Sequence, residues 1–226
     1  MNILYLDIET LPADEKSFEK LKFLYGRKLE KKAKKKDISE EIVIEDGDSN
    51  FESYIKNTSF DGGFGRLLCI GVALNNEDPD CYFDENDEKK TLEQFWEIAG
   101  RCDLFVGHNV MDFDLRFLWQ RSIVLGIKPT WQDTDQGRLK YITFAKYRRF
   151  PIFDTMHEWA KWGWSKDGSV GLEHLALSLD IPTPKNAIDG SKVFDFYKAR
   201  KIKEICDYCK RDVETVRAIY KKMNFQ

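Results

Sequence analysis

Residues 2–9, Asn-Ile-Leu-Tyr-Leu-Asp-Ile-Glu, constrain the fold more than any other stretch of the chain. A nearly unbroken apolar run of this length reads as a strand buried on both faces, the pattern of a central parallel strand rather than of an exposed edge. A strand buried on both faces needs a layer on each side of its sheet, so an α/β architecture follows. Strand-like segments recur at 67–74, 81–83, 104–106 and 151–153. Helical periodicity appears at 91–101, 112–123, 173–179, 191–199 and 202–223, with Asp112 a plausible N-cap for the second of these. Strands come first and alternation later, which implies a mixed sheet with helices on both faces.

With 226 residues the chain has room for one such domain or two small ones, and a single domain of this size buries roughly 70% of its unfolded surface. No repeat, low-complexity tract or convincing linker divides it, so one domain, 1–226, is expected. Residues 13–60 are polar, with a basic block at 27–36 and an acidic one at 37–48, and read as a charged, solvated helical insertion with a loop. The glycines of Gly62-Gly63-Phe64-Gly65 read as a turn, because no helix follows them to make a phosphate cradle. The longest uncharged apolar run, 67–74, is far too short to span a membrane. Met1-Asn2 leads straight into the first strand without a basic flank or cleavage site, and the five cysteines are an odd count. A reducing, cytoplasmic setting is therefore expected. The net charge of −3 neither announces nor excludes a nucleic-acid partner.

Asp7 and Glu9 end the most apolar strand. Alternation turns both carboxylates to one face, about 7 Å apart along the backbone. An unpaired buried pair is costly, and each carboxylate raises the pKa of the other, so a divalent cation is the best compensation. A strand end opening into solvent would also accommodate them. Asp114 falls in a first helical turn, where the macrodipole favours an anion. Phe113 and Phe117 share the inward face of that helix. On the last helix Ile202, Ile205, Cys209, Val213, Val216 and Tyr220 form an apolar stripe, flanked by Tyr208 and Asp212 one turn apart. Each cluster has an ordinary structural explanation by itself.

Taken together, Asp7-Ile8-Glu9, Asn109-x-x-x-Phe113-Asp114 and Tyr208-x-x-x-Asp212 occur in the order found in one family. The sequence resembles the DEDD superfamily of 3′-5′ exonucleases in its tyrosine-bearing branch, in particular DnaQ-like proteins related to the exonuclease domain of family B DNA polymerases. Asp154-Thr155, residues 171–176 and residues 208–213 look like that group as well; residues 13–60 and 126–148 match least. The histidine-bearing branch carries its histidine five residues before the last aspartate. That position is Asp207 here, and Tyr208 lies four before.

The resemblance implies a ribonuclease H-like five-stranded sheet of order 3-2-1-4-5 with strand 2 antiparallel. It also implies two divalent cations, Mg²⁺ or Mn²⁺, and hydrolysis of a phosphodiester at a 3′ end to release nucleoside monophosphates. Asp7 would bridge both metals. Glu9 and Asp212 would complete the site of the metal that activates water, Asp114 would hold the second directly or through water, and Tyr208 would orient the attacking water. Oxygen ligands suit Mg²⁺, and four carboxylates with two divalent ions sum to zero charge, which removes the objection that an acidic protein repels a polyanion.

Between Arg138 and Phe150 five basic residues alternate with Tyr141, Phe144, Tyr147 and Phe150, and no acidic residue intervenes. Such a segment can hold phosphates and stack bases of a single strand; an ordinary loop docking its aromatics into the core would look the same. Lys146, Arg148 and Arg149, with Asn109 and Phe113, are the candidate nucleic-acid contacts. Trp159, Trp162 and Trp164 could stack a terminal base, but their helical spacing favours core packing. Cys206-x-x-Cys209 has the spacing of half a metal site or a redox pair, but no second pair accompanies it in the sequence, and buried free thiols are the favoured reading. His108, His157 and His174 show no ligand pairing with one another. The expected substrate is the 3′ end of single-stranded DNA. The alternatives are an exoribonuclease with the same site, or an idle nucleic-acid-binding or polymerase-accessory module, which the complete carboxylate set argues against.

Overall fold

The central strand β1, Ile3–Leu11, organises a five-stranded sheet. The computed structural model describes residues 1–36, 47–129, 151–161, 169–183 and 188–226. On one side of β1 lie β2 (Arg66–Leu74) and then β3 (Asp80–Tyr82); on the other lie β4 (Leu104–Gly107) and β5 (Ile152–Asp154). β2 runs antiparallel to both of its neighbours, whereas β4 and β5 run parallel to β1. The order β3-β2-β1-β4-β5 is the mixed ribonuclease H-like arrangement expected from the sequence, with β2 the antiparallel strand.

The helices are α1 (Phe18–Lys36), α2 (Gly47–Lys56), α3 (Glu88–Ala99), α4 (Asp114–Leu125), α5 (Thr155–Ala160), α6 (Leu172–Ser178), α7 (Val193–Lys198) and α8 (Ile202–Met223). Alternation along β1 decides which of them covers which face. Leu4, Leu6 and Ile8 point to one side and pack with Phe95 and Trp96 of α3 and Phe117 of α4. Tyr5 points to the other and packs with Val213, Val216 and Tyr220 of α8. Asp7 and Glu9 share the parity of Tyr5, so they lie on the α8 side of the sheet. Full burial of each large apolar side chain contributes about 1.5–3 kcal/mol, so both layers are secured by ordinary core packing.

The stripe on α8 buries Ile205, Cys209, Val213, Val216 and Tyr220, as its period requires, and also takes Tyr208 and Asp212 out of solvent. How near the helix comes is set at Gly71 of β2. A Cβ there would lie 2.8 Å from Cys209 Sγ and 2.9 Å from Val213 Cγ2. Only glycine permits this approach.

Several local expectations change. α4 starts at Asp114 with Phe113 at its N-cap and no side-chain cap; Asp112 instead faces His157, whose Nε2 is 3.1 Å from Asp112 Oδ2. The unforeseen helix α5 is capped by Asp154, whose carboxylate accepts from the Met156 and His157 N–H groups. Trp159 on α5 is exposed, so its spacing does not signal core packing, while Trp162 and Trp164 lie outside the described residues. The segment 13–60 is largely helical where described, and it is anchored as well as solvated. Leu21 is buried, Tyr25 packs on Phe51 and Tyr54, and the Ala13 N–H donates to Thr58 Oγ1 at 2.8 Å.

Gly71→Ala is expected to overpack the β2–α8 contact and lower stability by about 1–3 kcal/mol. A urea titration followed by circular dichroism measures it. A midpoint equal to that of the unchanged protein would mean that α8 does not need this approach.

Candidate functional site

Two elements bring three carboxylates together. Asp7 and Glu9 come from β1, and Asp212 comes from α8 lying across it. One carboxylate oxygen from each lies within 4.8 Å of the other two. The ladder between β1 and β2 shifts register between Glu9 and Thr10, an irregularity of the kind that re-aims side chains beside functional sites. A third element brings Asp114 to the rim of this triad. The ladder with β4 covers only Ile3–Tyr5, so β1 runs on past its neighbour, and Asp114 Oδ1 accepts the Ile8 N–H at 3.0 Å. Asp114 thus tethers α4 to β1 while remaining close enough to act electrostatically on Asp7 and Glu9. Tyr208, one turn before Asp212, stands against the Asp212 carboxylate, which helps to keep its hydroxyl protonated.

The electrostatics follow from this convergence. Burial pushes Asp7 and Glu9 well above the usual carboxylate range, and repulsion from Asp212 raises both further. Asp114 is pushed up to about 7, mainly by burial and against the stabilising pull of its own N–H and that of Ile8. Tyr208 is raised far above an ordinary phenol by burial and by Asp212, Glu9 and Asp7, so its hydroxyl keeps its proton. Carboxylates held this close have two ways out: to take up protons or to share a cation. All-oxygen donors at this spacing suit a hard divalent ion such as Mg²⁺ or Mn²⁺, so Asp7, Glu9 and Asp212 could hold a metal.

A cleft of about 470 Å³ opens beside the triad, with Tyr208 and Asp212 on one wall and Gly171, His174, Asp189 and Gly190 on the other. Two residues not foreseen as contributors hold the approach to Asp114 in shape. Asp154, fully buried, accepts the N–H groups of Asn109 and Met111 at 3.0 Å each, organising the turn that leads into α4. His108 bridges Thr155 Oγ1 at 2.9 Å and the Val170 carbonyl at 2.8 Å, tying the end of β4 to the segment that leads into the cleft wall. Asp154-Thr155 and residues 171–176 carry part of the family resemblance, but a carboxylate that bonds backbone amides distant in sequence leaves no local signature.

All four candidate acids and Tyr208 are thus gathered at one place, although Asp114 is not one of the mutually closest three. Asn109 adopts a left-handed backbone (φ 59°), tolerable for asparagine, and its N–H is committed to Asp154. Phe113 packs between the exposed Phe60 and the buried Phe117, with ring centroids 6.1 and 5.8 Å away. Lys146, Arg148 and Arg149 lie outside the described residues. Among those residues no helix is long and apolar enough to cross a membrane.

A ribonuclease H-like sheet whose central strand contributes two acids, met by a third from α8, defines the class, and comparison with known proteins sharpens it. Residues 79–226 match the model of a family described as a predicted 3′-5′ exonuclease related to the exonuclease domain of PolB, and the chain belongs to that family. The fold is also similar to part of the family B DNA polymerase from the hyperthermophilic archaeon Pyrobaculum calidifontis. That match has a TM-score of 0.62 and 13% sequence identity, and covers 99% of this chain but 24% of the polymerase. No curated protein matches the sequence significantly.

The raised carboxylates give the metal-free protein a pH dependence of definite sign. Asp114 binds its proton up to about pH 7 in the folded state, against 3.8 ordinarily, so the folded form holds more protons than the unfolded one between those values. Its contribution is therefore full below its ordinary pKa and lost as pH rises through 7. The melting temperature in chelator should fall between pH 5 and 8, as thermal melts would register, and Asp114→Asn should flatten that fall. A melting temperature that rises over this window, equally in both proteins, would show that these acids are already ionised at low pH.

Proposed function

We propose that the chain is a metal-dependent 3′-5′ exonuclease that hydrolyses the terminal phosphodiester of single-stranded DNA and releases nucleoside monophosphates. The observation that carries this reading is the convergence of Asp7, Glu9 and Asp212 with a protonated Tyr208 hydroxyl against them. Membership of a family related to the polymerase exonuclease domain supports it. The 226 residues act as one exonuclease domain in this reading.

Asp7, Glu9 and Asp212 would hold one divalent ion, with Asp7 shared and Asp114 contributing to a second. When bound, the pair supplies Lewis acidity at the phosphate and favours ionisation of the attacking water. The protein does the rest. Tyr208, whose hydroxyl keeps its proton in the metal-free site, would hydrogen-bond the water and fix its direction of attack. Asp212 would orient Tyr208 as well as hold the metal. The cleft between α8 and the Gly171–His174 segment receives the last nucleotide, and the Phe60–Phe113 pair offers an aromatic face for a base. Lys146, Arg148 and Arg149 are the candidate phosphate contacts in this reading.

The deciding assay compares end-labelled DNA and RNA oligomers with Mn²⁺, Mg²⁺ or chelator. Metal-dependent release of mononucleotides from the 3′ end of DNA is the expected result; faster release from RNA would move the enzyme to the exoribonuclease class, and no release from either would leave a binding module. Asp7→Asn and Asp212→Asn should each lower turnover by about 10³-fold or more, because positioned charge supplies most of the rate in such sites. Tyr208→Phe should cost less, since the ligands remain. Near-normal turnover in either aspartate variant would remove the triad from the mechanism.

Replacing Lys146, Arg148 and Arg149 together by Ala should weaken binding of single-stranded oligomers. It should reduce the log–log salt slope by about 0.7 for every phosphate that these side chains neutralise. An unchanged slope in fluorescence anisotropy titrations would mean that this segment lies away from the strand.

A further inference from the structure

Four of the five cysteines meet at one place. Cys69 and Gly71 of β2 lie opposite Glu9 and Asp7 of β1, and Cys81 of β3 lies opposite Gly71, so strand parity turns the two cysteines, like the two acids, toward α8. The helix presents Cys206 and Cys209 from above, three residues apart and hence neighbours on its surface. The sulfurs of Cys69, Cys81 and Cys206 lie within 4.8 Å of one another. Cys209 stands beside them, close enough to act on Cys69 and Cys81, although it is not one of the mutually closest three. The fifth thiol, Cys102, is elsewhere and donates to the Ile98 carbonyl.

We propose that Cys69, Cys81, Cys206 and Cys209 form a tetrathiolate site for a single Zn²⁺ ion, separate from the carboxylate site and serving to pin α8 to the β2–β3 edge of the sheet.

Geometry favours one ion over a cluster. A tetrahedral ion with metal–sulfur bonds of about 2.3 Å has its sulfurs about 3.8 Å apart, and three of the sulfurs here already lie within 4.8 Å of one another, whereas the thiolates of an iron–sulfur cube are held apart by its corners. The surroundings also suit a metal thiolate. The Gly71 N–H donates to Cys209 Sγ at 3.2 Å, and no Cβ at Gly71 stands in the way. Hydrogen bonds from backbone amides orient such ligands. Cys81 and Cys206 are only partly buried, so an ion can enter from the β3 edge, and Lys210, paired with Asp207, brings positive charge close to the thiolates. Buried reduced thiols packing as small apolar groups are the competing state. That state explains the burial of Cys69 and Cys209 but gives no reason for partly exposed Cys81 and Cys206 to join them.

The experiment uses the full chain, reduced and stripped with chelator, then titrated with Co²⁺ and back-titrated with Zn²⁺. Thiolate-to-cobalt charge-transfer absorption and intense tetrahedral ligand-field bands should grow to one equivalent of Co²⁺ and vanish on adding Zn²⁺. The Cys206→Ser and Cys81→Ser variants, checked for folding by circular dichroism, should lose at least tenfold in Co²⁺ affinity. Asp212→Asn should keep the sulfur-to-metal bands, which separates this site from the proposed nuclease centre and lets either reading fail alone. The proposal is overturned if the unchanged protein develops no thiolate band at equimolar Co²⁺, or if the band disappears in Asp212→Asn. It is equally overturned if the protein purifies with an iron chromophore, or with a disulfide between two of these cysteines.

Discussion

Three carboxylates within 4.8 Å of one another repel, and nothing in their own chemistry would bring them together, so the rest of the fold must supply the force. It does so through two apolar layers. Leu4, Leu6 and Ile8 lock β1 against α3 and α4 from one side, and the stripe from Ile205 to Tyr220 presses α8 onto the other. The missing side chain at Gly71 sets the separation, and Asp114 ties the end of β1 to α4 through the Ile8 N–H. Each of these contacts is ordinary core packing or backbone satisfaction. Together they store the repulsion that a cation would relieve, the same balance by which a site assembled in advance binds its metal without reorganising.

Much of this is legible in the sequence, for a physical reason. Strand parity and helical period are properties of the backbone, so the position of Asp7 beside Glu9, and of Tyr208 beside Asp212, can be counted off the chain. The sheet order comes with the family resemblance, since no local pattern distinguishes one pairing of strands from another. Less accessible are residues whose roles depend on partners distant in sequence. Asp154 looks like any acid at the end of a strand until its oxygens meet the Asn109 and Met111 amides. Asp112 has the right side chain for an N-cap, yet His157 captures it and the helix starts two residues later. Trp159 has core spacing but sits on a short helix whose outer side faces solvent.

Cysteine is the residue type that sequence spacing serves worst. Cys206-x-x-Cys209 has the separation of a metal-binding half-site, but its partners are single residues on two different strands, Cys69 and Cys81, with no spacing rule to connect them. Only the antiparallel ladder from β1 through β2 to β3 makes them neighbours. The same ladder that puts Asp7 opposite Gly71 puts Gly71 opposite Cys81, so the acidic and the sulfur-bearing positions are successive steps across one sheet face.

That face is therefore divided by ligand chemistry, with oxygens over β1 and sulfurs over β2 and β3, and Cys209 stands on the boundary. Its Sγ lies 3.4 Å from Asp7 Oδ2 and takes the Gly71 amide on its other side. As a thiol it donates to Asp7 and eases ionisation of that carboxylate. As a thiolate it can no longer donate and depends on the Gly71 N–H. The two proposed sites are thus coupled through one atom, but they need not compete for ions, because hard Mg²⁺ or Mn²⁺ prefers the carboxylates while a softer ion is held by the thiolates. In this arrangement the sulfur site would secure the helix that carries Tyr208 and Asp212, and the oxygen site would keep its own ions. Positioning of α8 would then come from three sources at once: its apolar stripe, the close contact at Gly71 and the thiolates next to it.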